Sequence, residues 1–149
     1  MNTITLFTIG FTQKSAQQFF ELLRYNQITV LVDTRLKPNS QLSGFARGND
    51  LPYLLKQIVT CDYRHLGEMS PTHEILERYR SDGDWSSYER AFNVLLVERK
   101  LSEKLDMSWW VSQRACLLCS EHSPDQCHRR LVAEYLRFEW QNVEVTHLM

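Results

Sequence analysis

The sequence alternates short, β-branched apolar segments with longer segments of helical periodicity, and this alternation limits the folds that the chain can adopt. Residues 28–32 are the clearest example, because they are almost wholly apolar and are followed directly by Asp33. A strand without a polar face is buried on both sides, as the strands of parallel sheets are. Such strands separated by helices indicate a mainly parallel sheet with helices on both of its faces.

The same reading of periodicity places the other elements. Further strands are predicted at residues 4–9, 61–66, 115–119 and 143–145. Helices are predicted at residues 15–26, 51–59, 70–80, 85–105 and 123–140. Ser15 and Ser123 each precede a glutamine by three positions, which predicts capping boxes at two of the helix starts. The predicted fold class is α/β: a single three-layer, Rossmann-like domain over residues 1–149 with about five strands.

The composition is that of a folded domain. Hydrophobic residues make up 43% of the chain and charged residues 23%, close to the averages for soluble globular proteins. The first residues carry no signal-peptide pattern, and no apolar run approaches the roughly 20 residues of a spanning helix. We therefore expect a cytoplasmic location and no membrane partner. The net charge of −1 does not favour nucleic acid as a partner, so a basic site must be local.

The four cysteines are expected to stay reduced, because the cytoplasm keeps thiols reduced. They are predicted to be core thiols, metal ligands or reactive groups rather than bridges. Cys116 and Cys119 lie three positions apart on a predicted strand and so point to opposite faces, which argues against a shared metal. No metal site is therefore predicted. Two alternatives stay open: a smaller site formed by Cys119, Cys127, His128 and His65, and a disulfide or redox relay between Cys119 and Cys127.

Polar residues follow several of the predicted strands. In parallel α/β sheets the functional site lies beyond the carboxyl ends of the strands, where these residues converge. Asp33 is predicted to be a general acid or base, and Arg35 to bind an anion. The alternative for Asp33 is a local ion pair or a bond to turn amides. Gly10, Thr12 and His65 are further candidates for substrate contacts, although a turn role is favoured for Gly10 and Thr12.

Residues 119–130 form the stretch of the sequence that is densest in potentially reactive side chains. Glu121 is a candidate for proton transfer, and Cys127, placed on the first turns of a helix beginning at Ser123, is a candidate nucleophile. Free amides at that helix start suit a phosphate or carboxylate. The side chains expected to contact this anion or its substrate are Cys119, His128, Arg129 and Arg130. The alternatives are that Cys127 and His128 pack within the helix and that Arg130 pairs with Glu134.

Two groups of aromatic residues precede the fourth predicted strand. Trp85, Tyr88 and Phe92 have helical spacing, which predicts core positions or a hydrophobic lip. Trp109 and Trp110 are expected to make a contact between a helix and the sheet. Stacking of bases on such rings would require a basic groove around them, which the net charge does not predict.

The chain resembles the family named only as domain of unknown function 488. The matching segments are residues 8–12, 31–35, 63–66, 117–121 and 127–131, together with Trp85 and Tyr88. The resemblance implies an α/β fold of Rossmann type and a site built on a thiol, a carboxylate and a Cys-His-Arg triplet. Two positions depart from the family: Phe11 stands where many members have histidine, and Gln41 where they often have arginine.

These observations favour an enzyme that acts on a phosphate-bearing substrate, such as a nucleotide or a nucleic-acid end. A hydrolase and a transferase are both compatible with the residues, and the sequence does not identify a cofactor. The partner is expected to be a small-molecule or nucleotide ligand. A non-catalytic module that binds a ligand or partner is one alternative, and a metal- or thiol-based sensor is another.

Overall fold

The protein is built around one parallel β-sheet, described here from a computed structural model that covers residues 2–40 and 44–149. The strands of this part of the chain are β1 (Ile4–Gly10), β2 (Val30–Asp33), β3 (Asp62–His65), β4 (Ala115–Cys119) and β5 (Val143–Leu148). They lie in the order β3-β2-β4-β1-β5, and every neighbouring pair is parallel. The α/β class is thus confirmed. Gln41, one of the two positions that depart from the family pattern, lies outside the described residues.

Helices cover both faces of the sheet. They are α1 (Ala16–Tyr25), α2 (Leu51–Ile58), α3 (His73–Asp82), α4 (Trp85–Glu98), α5 (Leu101–Lys104), α6 (Met107–Ser112) and α7 (His128–Trp140). Alternate β4 side chains enter different cores: Leu117 packs with α4 and α7, and Leu118 packs with α1 and α2. This arrangement is the predicted three-layer fold. No helix in the described ranges is long and apolar enough to span a bilayer.

Local sequence signals explain where the first two helices begin. At α1 the Ser15 hydroxyl accepts the Gln18 amide at 3.1 Å, and the Gln18 side chain accepts the Ser15 amide at 2.9 Å. The capping box predicted at Ser15 is therefore confirmed. Pro52 lies in the first turn of α2, where its missing amide hydrogen costs nothing.

The single helix predicted over residues 85–105 is wrong. Helix α4 ends at Glu98, and Lys100 takes a left-handed conformation with φ of 53°, which turns the chain into α5. Helix α6 follows and was not predicted. Its Trp110 is buried in the core between the helices and the sheet, which confirms the expected helix–sheet contact.

The capping box predicted at Ser123 is also wrong. Helix α7 begins at His128, and Cys127 is its N-cap in an extended conformation. The Ser123 hydroxyl instead accepts the Asp125 amide at 3.2 Å. The preceding loop is kept out of the helix by Arg130, whose Nε and Nη2 donate to the carbonyls of Pro124 and Asp125 at 3.1 and 2.9 Å.

Candidate functional site

A pocket of about 250 Å³ lies at the carboxyl ends of β2 and β4, where the functional site of an α/β sheet is expected. One wall comes from the chain after β2, another from the chain after β4 and the start of α7, and the outer wall from α3 and α4. The principal polar and aromatic lining residues are Arg35, Lys37, His73, Tyr79, Arg80, Trp85, Tyr88, Cys119, Glu121, Cys127 and His128. Of the residues predicted for the site, Arg35, Glu121, Cys119, Cys127 and His128 line this pocket.

Asp33 lies behind the pocket and holds Arg35 in place. Its Oδ1 accepts hydrogen bonds from the Arg35 amide at 3.1 Å and Nε at 2.9 Å. Its Oδ2 accepts from Arg35 Nη2 at 2.7 Å and from the Tyr63 hydroxyl at 2.6 Å. Both alternatives considered for Asp33, the ion pair and the turn-amide bond, are therefore present. Both Asp33 oxygens are therefore engaged with Arg35 and Tyr63, and Asp33 is not among the residues that line the pocket.

Arg35 keeps one donor without a partner. Its side chain is 4% exposed, and Nη1 is buried with no hydrogen-bond partner in the described part of the chain. The guanidinium also lies 5.3 Å from the ring centroid of Phe11. A buried polar group without a partner is rare and calls for an explanation.

Tyr63 is a site residue that the sequence reasoning did not assign. Burial and the hydrogen bond to Asp33 raise the pKa of Tyr63, so its hydroxyl stays protonated and donates. It lies on β3, opposite Leu31 of β2. The register of two neighbouring parallel strands would have been needed to find it.

Arg129 does not face the pocket. It is fully buried, and its donors are taken by Thr8 Oγ1 at 3.2 Å and by the carbonyls of Glu121 at 2.5 Å and His122 at 3.1 Å. Burial lowers the pKa of Arg129 to about 10, which leaves the guanidinium charged at neutral pH. The predicted anion contact is thus replaced by a structural role, in which Arg129 anchors the loop after β4.

Gly10 lies too close to the loop after β4 for any side chain to fit. A Cβ atom at this position would lie 1.6 Å from the Glu121 carbonyl oxygen and 2.9 Å from Arg129 Nη1. Thr12 lies nearby and donates its hydroxyl to the Ser120 carbonyl at 2.5 Å. Both residues therefore fit the loop after β4 against the end of β1, which is the turn role favoured for them.

His65 and Arg130 are likewise engaged with the protein. His65 Nε2 donates to the Arg35 carbonyl at 2.7 Å, and its side chain is exposed at the end of β3. Arg130 pairs with Glu134 at 3.0 Å and with Glu89 at 3.3 Å, in addition to its two loop carbonyls. The pairing of Arg130 with Glu134 was the alternative to anion binding, and the structure confirms it.

Cys119 and Cys127 are joined by a disulfide, which contradicts the expectation of reduced thiols and confirms the alternative of a bond between these two cysteines. The loop after β4 turns back on itself, held by Arg129, and this return brings the two sulfurs together. Cys61 and Cys116 are buried free thiols in the core on the α1 and α2 face. Cys116 therefore points away from Cys119, as predicted, and Cys127 is not a free nucleophile in this disulfide-bonded state.

His128 is the residue that contacts the disulfide. Its Nε2 donates to the Thr34 carbonyl at 2.8 Å and lies 3.0 Å from the Thr34 hydroxyl, while Nδ1 lies 3.8 Å from Cys119 Sγ. Burial lowers the pKa of His128 to about 4, so the imidazole is neutral near pH 7. With the proton on Nε2, Nδ1 carries a lone pair facing the sulfurs. Cys119, Cys127 and His128 also form a set of potential metal ligands, and His65 is not part of it.

The outer wall of the pocket is aromatic. The rings of Trp85 and Tyr88 stack with centroids 4.9 Å apart, and Tyr79 packs against both at 5.7 and 5.1 Å. Trp85 and Tyr88 thus belong both to the core and to the lip of the pocket, in agreement with the prediction from their spacing. Tyr79 and Arg80 of α3 were missed, because no local signal shows that α3 folds over the ends of β2 and β4.

The fold and the pocket define a class: a three-layer α/β protein with a polar and aromatic pocket at the carboxyl edge of a parallel sheet. Within that class, the family model described as "Domain of unknown function DUF488" matches residues 15–136, and the chain belongs to this family. The resemblance seen in the sequence is thereby confirmed. Comparisons with curated proteins and with solved structures give no match.

Proposed function

We propose that the chain is an enzyme acting on a phosphate-bearing substrate, such as a nucleotide or a nucleic-acid end, in the pocket at the ends of β2 and β4. The proposal is carried by Arg35 Nη1, a buried donor without a partner among the described residues, on a side chain that lines the pocket. A buried unsatisfied donor costs about 1–3 kcal/mol. A phosphate oxygen would remove this cost, and guanidinium groups suit phosphate geometry.

Hydrogen-bond donors around the pocket suit an anionic ligand. The guanidinium groups of Arg35 and Arg80 line it together with the Glu121 carboxylate, and Arg35 is paired with Asp33 behind the pocket. Arg80 is partly neutralised by Glu77 at 2.7 Å. The start of α7 adds backbone amides, because its N-cap Cys127 makes no side-chain capping bond.

The aromatic wall favours a nucleotide over a simple phosphate. Trp85 lies at the lip with Tyr88 stacked against it, and Tyr79 extends this surface. Aromatic side chains stabilise stacked bases by about 1–3 kcal/mol each. Within one pocket, the Arg35 guanidinium would contact the phosphate of a nucleotide and the aromatic rings would contact its base.

The roles of the individual residues differ from the first expectation. Asp33 and Tyr63 position Arg35, and Arg129 shapes the loop after β4. In this proposal Asp33, Tyr63 and Arg129 therefore transfer no proton to the substrate. Glu121, exposed and on the pocket wall, is the carboxylate available as a general acid or base. A hydrolysis and a group transfer both fit this arrangement.

Binding is tested by calorimetry with inorganic phosphate and a panel of nucleoside monophosphates. Lysine at position 35 can still neutralise Asp33, but its single ammonium group cannot bond Asp33 and also offer a second nitrogen to the ligand. Arg35→Lys should therefore lower the affinity for the best ligand at least about tenfold. Arg24→Lys, on the distant helix α1, is the matched control and should leave the affinity unchanged. Absence of binding to the unmodified chain, or equal affinity in Arg35→Lys, would overturn the proposal.

Catalysis is tested separately, by following the bound nucleotide for release of phosphate or formation of a transfer product. Glu121→Gln should bind normally and turn over about 100-fold more slowly, since general acid–base catalysis contributes about 10²–10⁴-fold. Glu74→Gln, exposed on α3, is the control and should keep the full rate. Tight binding with no turnover of any ligand in the panel would contradict the enzyme proposal and favour a non-catalytic binding module.

A further inference from the structure

We propose that, once the Cys119–Cys127 disulfide is reduced, the two thiolates and His128 Nδ1 bind a zinc ion whose fourth position opens into the pocket. This proposal concerns the chain's own ligand set and does not depend on the phosphate-bearing substrate. It extends the site by a metal centre that the anion contact at Arg35 does not require.

The three donor atoms are already assembled. Both sulfurs and a ring nitrogen of His128 lie within 4.8 Å of one another. Zn–S and Zn–N bonds of about 2.3 and 2.0–2.1 Å imply tetrahedral edges of roughly 3.5–3.8 Å. The distance of 3.8 Å between Cys119 Sγ and His128 Nδ1 is close to the S–N edge of about 3.5–3.6 Å. The main change on reduction is that the two sulfurs separate.

The backbone around the cysteines suits an ion between them. Their Cα atoms are 7.3 Å apart, whereas disulfides usually join Cα atoms about 4.4–6.8 Å apart. Two thiolates on one zinc ion lie farther from each other than two bonded sulfurs. This wider separation therefore accommodates the metal without a large movement of β4 or α7.

His128 is oriented as metal-bound histidines are. Its Nε2–H donates to the Thr34 carbonyl at 2.8 Å, which places the lone pair on Nδ1. Metal-ligating histidines almost always donate their second nitrogen to a carbonyl, carboxylate or water, and this contact fixes the ring. Phe92 supports the ring from the side, edge to face with centroids 5.6 Å apart.

Three protein ligands leave one position open. Cys119, Cys127 and His128 all line the pocket that also contains Arg35 and Glu121. Structural zinc sites have four protein ligands, whereas catalytic sites have three and an open position. A fourth ligand from Cys116 is ruled out, because Cys116 packs in the core on the opposite face of the sheet. Use of the open position in catalysis rests on the proposed function, but ion binding does not.

The chemistry balances with a reducing thiol or phosphine. With a thiol, Cys119–S–S–Cys127 and two R–SH give two protein thiols and one R–S–S–R. The two protein thiols then lose two protons to water as they bind one Zn²⁺. Because each sulfur is used either in the disulfide or in the metal site, the oxidised chain should not bind zinc at this site.

The test compares zinc binding by the reduced and oxidised full chain. The chain is reduced with a phosphine, freed of metal by dialysis against chelator without oxygen, and titrated with Zn²⁺ against a chromophoric competitor. One equivalent should bind to the reduced chain and none to the oxidised chain. Titration with Co²⁺ should produce thiolate-to-cobalt charge-transfer absorption and the intense visible bands of tetrahedral Co²⁺. Equal affinity of the two chains, or no binding by the reduced chain, would overturn the proposal.

Variants assign the ligands. Cys119→Ser and His128→Gln should each weaken binding at least about tenfold, while Cys61→Ser and His65→Gln should not. Because replacing a buried residue can unfold the chain, alkylation of the unmodified reduced protein gives a second measurement. Zinc should slow alkylation of Cys119 and Cys127 in the folded chain, and equal rates with and without zinc would contradict the site. Phosphate binding that depends on Arg35 is measured on the oxidised chain, so failure of either proposal leaves the other interpretable.

Discussion

Asp33 and Arg35 form a two-point ion pair, with Arg35 Nε on Asp33 Oδ1 at 2.9 Å and Nη2 on Oδ2 at 2.7 Å. Both side chains are buried, at 0% and 4% exposure. A buried pair contributes little net stability when intact, but removing one partner leaves an uncompensated charge. The pair therefore serves mainly to orient the guanidinium at the end of β2.

Asp33→Asn should destabilise the fold by about 3–5 kcal/mol, because it leaves the Arg35 charge buried without its partner. Urea unfolding measures this loss. The control is Asp62→Asn, which breaks the exposed pair of Lys56 and Asp62 at 2.8 Å. That change should cost less than about 1 kcal/mol. Equal losses of unfolding free energy in the two variants would show that burial does not make the Asp33–Arg35 pair more costly to break than an exposed pair.

Gly10→Ala should cost at least about 1–3 kcal/mol, because the new Cβ would overlap the Glu121 carbonyl and force the loop away from β1. Gly67→Ala is the matched control, since a Cβ there meets no described atom within 4 Å. Thermal unfolding of both variants measures the difference. A Gly10→Ala chain as stable as Gly67→Ala would mean that the loop after β4 is not held against β1.

Acid should destabilise the disulfide-bonded chain through His128. Its pKa is lowered to about 4 by burial, while histidine in an unfolded chain titrates near 6.5. Between these values the unfolded chain binds a proton that the folded chain does not. Stability should therefore fall by about 3 kcal/mol as the pH decreases from about 6.5 to about 4.

The urea midpoint followed from pH 7 to pH 4 measures this dependence. His128→Gln should flatten it, because the amide does not titrate. His73→Gln, an exposed histidine on α3, should keep it. Identical pH profiles for all three proteins would assign the acid dependence to other groups.

Reduction of the Cys119–Cys127 disulfide should raise the number of thiols titrated in the denatured chain from two to four. The reduced, metal-free chain should be less stable by about 2–3 kcal/mol, because a cross-link over a sequence separation of 8 restricts only a short loop. Urea unfolding with and without a phosphine reductant tests this. Cys116→Ala serves as a control that keeps the bond, and it should retain the same response to reductant.

The order of strands and helices could be predicted because it depends on local pattern. The wholly apolar β4 was predicted with its observed bounds, Ala115–Cys119. The capping box at Ser15 was predicted because its hydrogen bonds link residues three positions apart. The break after α4 was not predicted, since a lysine at position 100 does not signal a left-handed backbone.

Most contacts of the two arginines on α7 could not be predicted from the sequence. The pairing of Arg130 with Glu134 was predicted as an alternative, because it joins positions four apart on a helix. The contacts that were not predicted include backbone carbonyls of residues 121–125. Which carbonyls lie within reach depends on the path of the loop, and every residue type has the same carbonyl. The disulfide depends on the same path, because it requires the loop to return to β4. Arg35 was assigned to the site by its position alone, and its two-point bond to Asp33 required the structure.

Three consecutive side chains at the start of α7 reach three different places in the sheet: Cys127 the end of β4, His128 the residue after β2, and Arg129 the middle of β1. Fraying of this one helical turn would release all three contacts at once. The amide hydrogens at the carboxyl ends of these strands should consequently exchange with solvent as a single cooperative unit. Helix ends usually fray first and alone, whereas opening of this one should expose the ends of three strands together.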